Sequence, residues 1–169
     1  MKTSILMIVG ITLSLLCVGP PIPAADVAAI DAKIKTAADL LLVPAERQGD
    51  VQKGFKLLIE AIELAAPGTR FPGEYAAKVN AARQIFESQS ILEEKGAALL
   101  RSAWQLVNAG KEFQMPAGIS NMNQAVAHCR KRIDSARASL KQGKLDDCSR
   151  ALLEVAIMIV TPMVVDPGK

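Results

Sequence analysis

The chain is predicted to fold as an all-α, antiparallel helical bundle, and three observations predict it. Half of its 169 residues are hydrophobic but only 4% are aromatic, and Ala and Leu dominate instead. With Lys, Glu, Arg and Gln, these are the strong helix formers. Apolar residues recur at alternating steps of three and four, the period of a helix with one buried face. Prolines and glycines gather where that period lapses, at Pro44, Pro67-Gly68, Pro72-Gly73, Gly143 and Pro162. Five helices follow, or six if a fresh one starts near Ser90, with two similar hairpins flanking a long central helical segment.

Residues 1–25 read as a signal peptide and 26–169 as one domain. Lys2 precedes an apolar or small run from Ile5 to Val18, then Gly19-Pro20-Pro21-Ile22-Pro23-Ala24-Ala25. A basic tip, a short greasy core, a breaker and small residues are the layout of a secretory leader. The run falls short of the roughly 20 apolar residues that span a membrane. Cleavage is expected to leave Ala25 or Asp26 as the new N-terminus, placing the protein in a secreted or periplasmic compartment. The three-back residue at the cut is Pro23 or Ile22 rather than a small one, so retention as an anchor is the competing reading. Cys17 follows bulky Leu16, which argues against lipid attachment.

The mature portion, about 144 residues, is long enough for one domain with its own core. Losing Lys2 takes the net charge from +3 to +2, too little basic excess to imply nucleic acid or an anionic membrane. The first helix runs from Asp26 to Val43, with Val27, Ile30, Ile34, Ala37 and Leu41 in register. Asp50 is placed to cap the second, which carries Val51, Phe55, Leu58, Ile62 and Ala65. From Glu74 to Ala109 no proline intervenes. Tyr75, Val79, Ala82 and Phe86 share a face that continues to Leu100, Ala103 and Val107, and Ser90 with Glu93 has the spacing of a capping box. In the same stretch Leu92, Leu99 and Leu106 alternate with Gly96, Ala103 and Gly110, small residues that let a neighbouring helix approach. The next helix carries Met122, Val126, Cys129, Ile133, Ala136 and Leu140 and stops at Gly143. The last carries Leu145, Cys148, Leu152, Val155 and Ile159, and the tail Met163-Val165 reads as extended. The expected core is Ile34, Leu41, Phe55, Leu58, Ile62, Val79, Phe86, Leu99, Val126, Ile133, Leu140, Leu152 and Val155.

A faint internal repeat supports the paired hairpins. Gly49–Glu60 aligns without gaps on Gly143–Glu154, and upstream Ile34, Ala37 and Leu41 resemble Ile133, Ala136 and Leu140. Shared hairpin grammar produces such matches as readily as duplication does.

Candidate chemistry is sparse. Cys129 and Cys148, on one hairpin turning near Gly143, should sit on the order of 13 Å apart along its axis. That is beyond a disulfide's reach, so two buried free thiols are expected. His128 is the only histidine. It lacks the Glu-x-x-His pairs of a di-metal bundle and the Cys-x-x-Cys-His of an attached haem, although Met115 or Met158 would complete an axial pair. A rim position is the plainer expectation, and no metal or cofactor is implied. Lys56–Glu60 and Arg150–Glu154 are spaced as helix-surface ion pairs. Arg130, Arg137, Lys141 and Lys144 form a basic patch, read as a solvated face or as one that meets an anion. Val155–Val165 is uncharged. Ile157, Met158, Val160 and Met163 lie largely off the stripe that packs the last helix, and they form the candidate contact surface.

Several chemistries are excluded: no phosphate loop, catalytic triad or activated cysteine is visible. The leading expectation is a non-catalytic exported bundle that acts by protein binding or self-association. One alternative is a carrier or sensor of a small apolar ligand or a membrane surface; another is a haem- or metal-binding bundle.

Overall fold

The computed structural model describes residues 24–42, 50–70 and 72–161. It contains α1 (Ala24–Leu41), α2 (Val51–Ala65), α3 (Pro72–Ser88), α4 (Glu94–Val107), α5 (Met122–Lys141) and α6 (Leu145–Val160). A single 3-10 turn, Ala66–Gly68, follows α2. No strand occurs among the described residues, and no helix there is long and apolar enough to cross a membrane. The leader (apart from Ala24 and Ala25), the expected stop at Pro44 and the tail Met163–Val165 lie outside the described residues.

The long central segment is not one helix, and six helices form rather than five. The chain turns through Gln89–Glu93, with Ser90 Oγ accepting the amide of Leu92 at 3.2 Å. The bend falls where Ser90 suggested, but the N-cap is Glu93, three residues later, so the capping box does not form. The signals at Asp50 and Gly143 act as read, and Asn121 adds a cap beyond those expected. Asp50 Oδ1 accepts the amide of Lys53 at 2.9 Å and so relieves one of α2's unpaired N–H groups. Asn121 caps α5 through the amide of Gln124 at 3.0 Å, while Gln124 Oε1 accepts the Ser120 amide at 2.8 Å. Gly143 adopts φ +69°, a left-handed conformation that costs glycine little, and α5 ends there.

The helices form three hairpins, α1/α2, α3/α4 and α5/α6. α1, α2, α6 and α5 make a four-helix ring, and α3/α4 packs across α2 and α6. Polar contacts fix the directions. Asp31 of α1 meets Arg137 of α5, while the carbonyl of Leu42 meets Arg130, so α1 and α5 run antiparallel. Gln52 meets the carbonyl of Phe86 and Glu63 meets Arg83, so α2 and α3 do too. Arg70, just past α2, pairs with Asp146 at the start of α6 at 2.8 Å.

The two similar hairpins therefore pack directly on each other, and the segment between them in sequence covers their shared flank. Their likeness extends to polar contacts. Lys33 Nζ of α1 pairs with Glu60 Oε2 of α2 at 2.6 Å, and Arg132 Nη2 of α5 pairs with Glu154 Oε2 of α6 at 2.8 Å. In the register that sets Ile34 on Ile133 and Glu60 on Glu154, Lys33 falls on Arg132.

The core is continuous, and each large aliphatic side chain removed from water contributes about 1.5–3 kcal/mol. Ten of the expected core residues are buried; Leu41, Leu99 and Val126 are only half-buried. Their neighbours Leu42, Leu100 and Ala125 point inward instead, a shift of one residue, or about 100° around a helix. Tyr75, Ile30, Ile59, Leu153 and Ile157 complete the interior. Phe86 joins two layers. Its ring meets Phe55 edge to face with centroids 5.0 Å apart, and a Cβ on Gly96 would lie 2.4 Å from its Cζ. Of the small-residue row, Gly96 makes room for an aromatic ring rather than for the helix backbone expected, and Gly110 lies beyond the end of α4.

Candidate functional site

The expected contact surface on the last helix is interior. Ile157, Met158 and Val160 are all buried, at 6% exposure or less, and Met163 lies outside the described residues. The reason is position: α6 packs against α5, α2 and α4 and meets the turn Ala66–Gly68 as well. The loop joining α4 to α5 also packs Phe113, Met115 and Ile119 on the core. A helix apolar on every side is the sequence such a place requires. This corrects the reading of Ile157, Met158 and Val160 as an outward patch.

The basic patch separates in the same way. Arg137 holds Asp31 with two bonds, Nε to Oδ1 at 2.6 Å and Nη2 to Oδ2 at 3.0 Å. This guanidinium holds the Asp31 carboxyl below its ordinary 3.8, partly opposed by desolvation. Arg130 donates through Nε and Nη2 to the carbonyl of Leu42, closing the C-terminal end of α1. Lys141 and Lys144 remain exposed. An anion-facing cluster of four is therefore corrected to two lysines beside two arginines already engaged by α1.

The remaining sequence candidates also find partners within the fold. Glu154 accepts Arg132 through one oxygen and faces His128 Nε2 at 2.7 Å through the other. His128 is at the rim, as expected, and is paired. The anticipated Lys56–Glu60 and Arg150–Glu154 pairs give way to Lys33–Glu60, Lys56–Glu87 at 3.6 Å and Arg150–Asp147 at 3.4 Å. Neighbouring helices supply the partners of Lys56, Glu60 and Glu154, while Arg150 turns to Asp147 on its own helix. Cys129 and Cys148 are free and buried. Burial, with Glu154 near the first and Asp31 near the second, pushes each thiol up to about 12, which leaves little thiolate for nucleophilic chemistry.

What sequence reasoning missed is a groove between the N-terminal half of α2 and the C-terminal half of α3. It encloses about 520 Å³. Phe55, Phe86 and Ile59 lie beneath it, nearly closed to water, and Asp50, Gln52, Lys53, Lys56, Arg83 and Glu87 line it. Gln52 Nε2 donates to the carbonyls of Phe86 at 2.6 Å and Gln89 at 3.3 Å, tying α2 to the end of α3 at one margin. At the other, Arg83 bridges Glu63 at 3.0 Å and Glu87 at 2.8 Å. The sequence held one signal: Lys53 and Lys56 lie on the side of α2 away from its apolar stripe. A second hollow of about 300 Å³ lies between α1 and α5, but Arg130 and Arg137 in its lining already serve internal bonds.

Fold and groove together define a helical bundle of three antiparallel hairpins with a groove between α2 and α3. Compared with known proteins, the chain matches no family model, no curated protein and no solved structure.

Proposed function

We propose that this protein is an exported, non-enzymatic helical bundle that binds a small amphipathic molecule in the α2/α3 groove. One observation carries the reading: an aromatic-based hollow of about 520 Å³ with charged side chains at its margins. Small-molecule sites have this volume range. Export rests on the leader of residues 1–25, and the lack of enzymatic activity on a sequence without a catalytic constellation. Thermal unfolding of the purified protein against a panel of short-chain amphiphiles tests the binding. A ligand at about 100 times its Kd is expected to stabilise by about 2.7 kcal/mol, and a panel without any shift rejects the reading. N-terminal sequencing of exported protein should start at Ala25 or Asp26; a start at Met1 rejects processing.

Self-association has its own support. Leu92 and Met122 are 67% and 61% exposed. The bonds of Gln52 to the end of α3, and of Arg130 to the end of α1, bring both to one end of the bundle. If that end is an interface, Leu92→Ser with Met122→Ser converts an oligomer to a monomer in sedimentation.

A further inference from the structure

We infer that the hollow where α4 ends is a carbohydrate site: a neutral pyranose ring lies with its C–H face on Trp104 and its hydroxyls on Asn108, Lys111, Glu112 and Gln114. The site shares no lining residue with the α2/α3 groove and stands whether or not that groove binds anything. Those five residues enclose about 500 Å³. Trp104 is partly exposed, yet its Nε1 is closed to water and finds no partner among the described residues. What the indole offers the hollow is therefore carbon, a flat apolar surface with a wet rim. Phe113 stands edge to face against it, ring centroids 5.3 Å apart, and holds the indole in place.

The polar rim is brought there by the turn after α4. Ala109 (φ 53°) and Gly110 (φ 78°) are both left-handed, and the Gly110 amide returns to the Gln105 carbonyl at 2.8 Å. The chain reverses, and Lys111, Glu112 and Gln114 come to stand beside Trp104. All three are exposed, and their side chains make no hydrogen bond or ion pair among the described residues. Asn108 is oriented by its own bond, Nδ2 to the Trp104 carbonyl at 3.1 Å, which leaves its Oδ1 to accept. One lysine offsets one glutamate, so the rim favours neither sign of charge. It combines donors, Lys111 and Gln114, with acceptors, Asn108, Glu112 and Gln114. A sugar has the matching complement: hydroxyls that both donate and accept, around a ring with a C–H face. A hydrocarbon would leave the rim unpaired, and a simple anion would leave the indole unused.

Because the chain has a single tryptophan, its emission reads this site directly. Titration of the whole protein with maltose, cellobiose and chitobiose should give a saturable change with at least one of them. Sorbitol, which has the hydroxyls but no ring face, and tetramethylammonium should give none at equal concentration. Lys111→Ala with Gln114→Ala should weaken the sugar about fivefold or more, the loss of at least one net hydrogen bond, with an unchanged melting curve. Calorimetry should find no sugar binding to Trp104→Leu. Silence toward all three sugars, by emission and by calorimetry, overturns the site. So does sorbitol binding as tightly as a sugar, or tetramethylammonium binding more tightly, since neither presents a ring face. Sugar binding that the double variant leaves unweakened overturns it too, because the sugar then sits elsewhere.

Discussion

α2 and α6 occupy matching places in two similar hairpins, yet one has a wet face and the other has almost none. Each is the second helix of its pair, each carries a glutamate bonded to the first helix, and each touches three other helices. Continuing the alignment of Glu60 with Glu154 sets Glu63 and Leu64 on Ile157 and Met158. Leu64 is 46% exposed, whereas Ile157 and Met158 are buried. The difference lies in what crosses the gap behind each helix. α6 is flanked by α4 and α5, and the loop joining those two packs Phe113, Met115 and Ile119 inward. α2 is flanked by α1 and α3, and no described segment bridges them, so Lys53, Lys56 and Leu64 stay in contact with water. The same hairpin grammar therefore yields a core helix on one side and the wall of an open groove on the other.

The sharpest way to break this comparison is to exchange residues across it. Ile157→Glu gives α6 what α2 carries at the matching position and places an unpartnered carboxylate in the core. A loss of about 4 kcal/mol or more is expected, enough to unfold a marginally stable domain. Leu64→Lys on α2 should stay within about 0.5 kcal/mol. Urea midpoints measure both, and similar values for the pair would mean that α6 is not the core helix. Next comes the seat of Phe86. Gly96→Ala drives a methyl into its ring and should cost about 1–3 kcal/mol, while Gly73→Ala, with nothing within 4 Å of the added carbon, should not destabilise.

The paired glutamates sharpen the contrast at a smaller scale. Glu154→Gln weakens its bonds to both Arg132 and His128 at a nearly buried site and should cost about 1–3 kcal/mol. Glu60→Gln removes one partly exposed pair and should cost about 1 kcal/mol or less. Equal losses would show that the two hairpins are polar equivalents despite their different burial. The smallest effect concerns acid. The Asp31 carboxyl is held below its ordinary 3.8, so its pairing with Arg137 is fully stabilising above that pH and fades as pH falls through the lowered value. The pair is partly exposed, so screening keeps the effect to about 0.5 kcal/mol or less. Arg137→Gln should lose that increment at neutral pH and match the parent protein at the acid end; a constant offset at every pH would point to packing instead.

The all-helical class, most helix boundaries and ten of thirteen core positions were legible because each depends on local chemistry: period, caps and breakers. Gly143 and Asp50 act through their own backbone, so reading them needed no neighbour. Leu41, Leu99 and Val126 were misplaced because each helix has apolar residues on two adjacent faces, and only the partner helix decides which one turns inward. The outward patch on α6 failed for a related reason. A continuous apolar run says that a helix is covered, but not whether the cover is its own chain. The groove left only the off-stripe lysines Lys53 and Lys56 as a trace in the sequence, since it joins two helices distant in the chain, and Phe55 and Phe86 beneath it read from sequence as ordinary core.

Trp104 is the only tryptophan, and it stacks edge to face on Phe113 with ring centroids 5.3 Å apart. Its partner sits in the loop that leads from α4 to α5. Tryptophan emission of this protein is consequently a single-site signal, sensitive to that loop. Circular dichroism, by contrast, averages over all six helices. Transitions that coincide by both methods would mark one cooperative unit; an earlier change in emission would mark the α4–α5 connector as the first part to peel away.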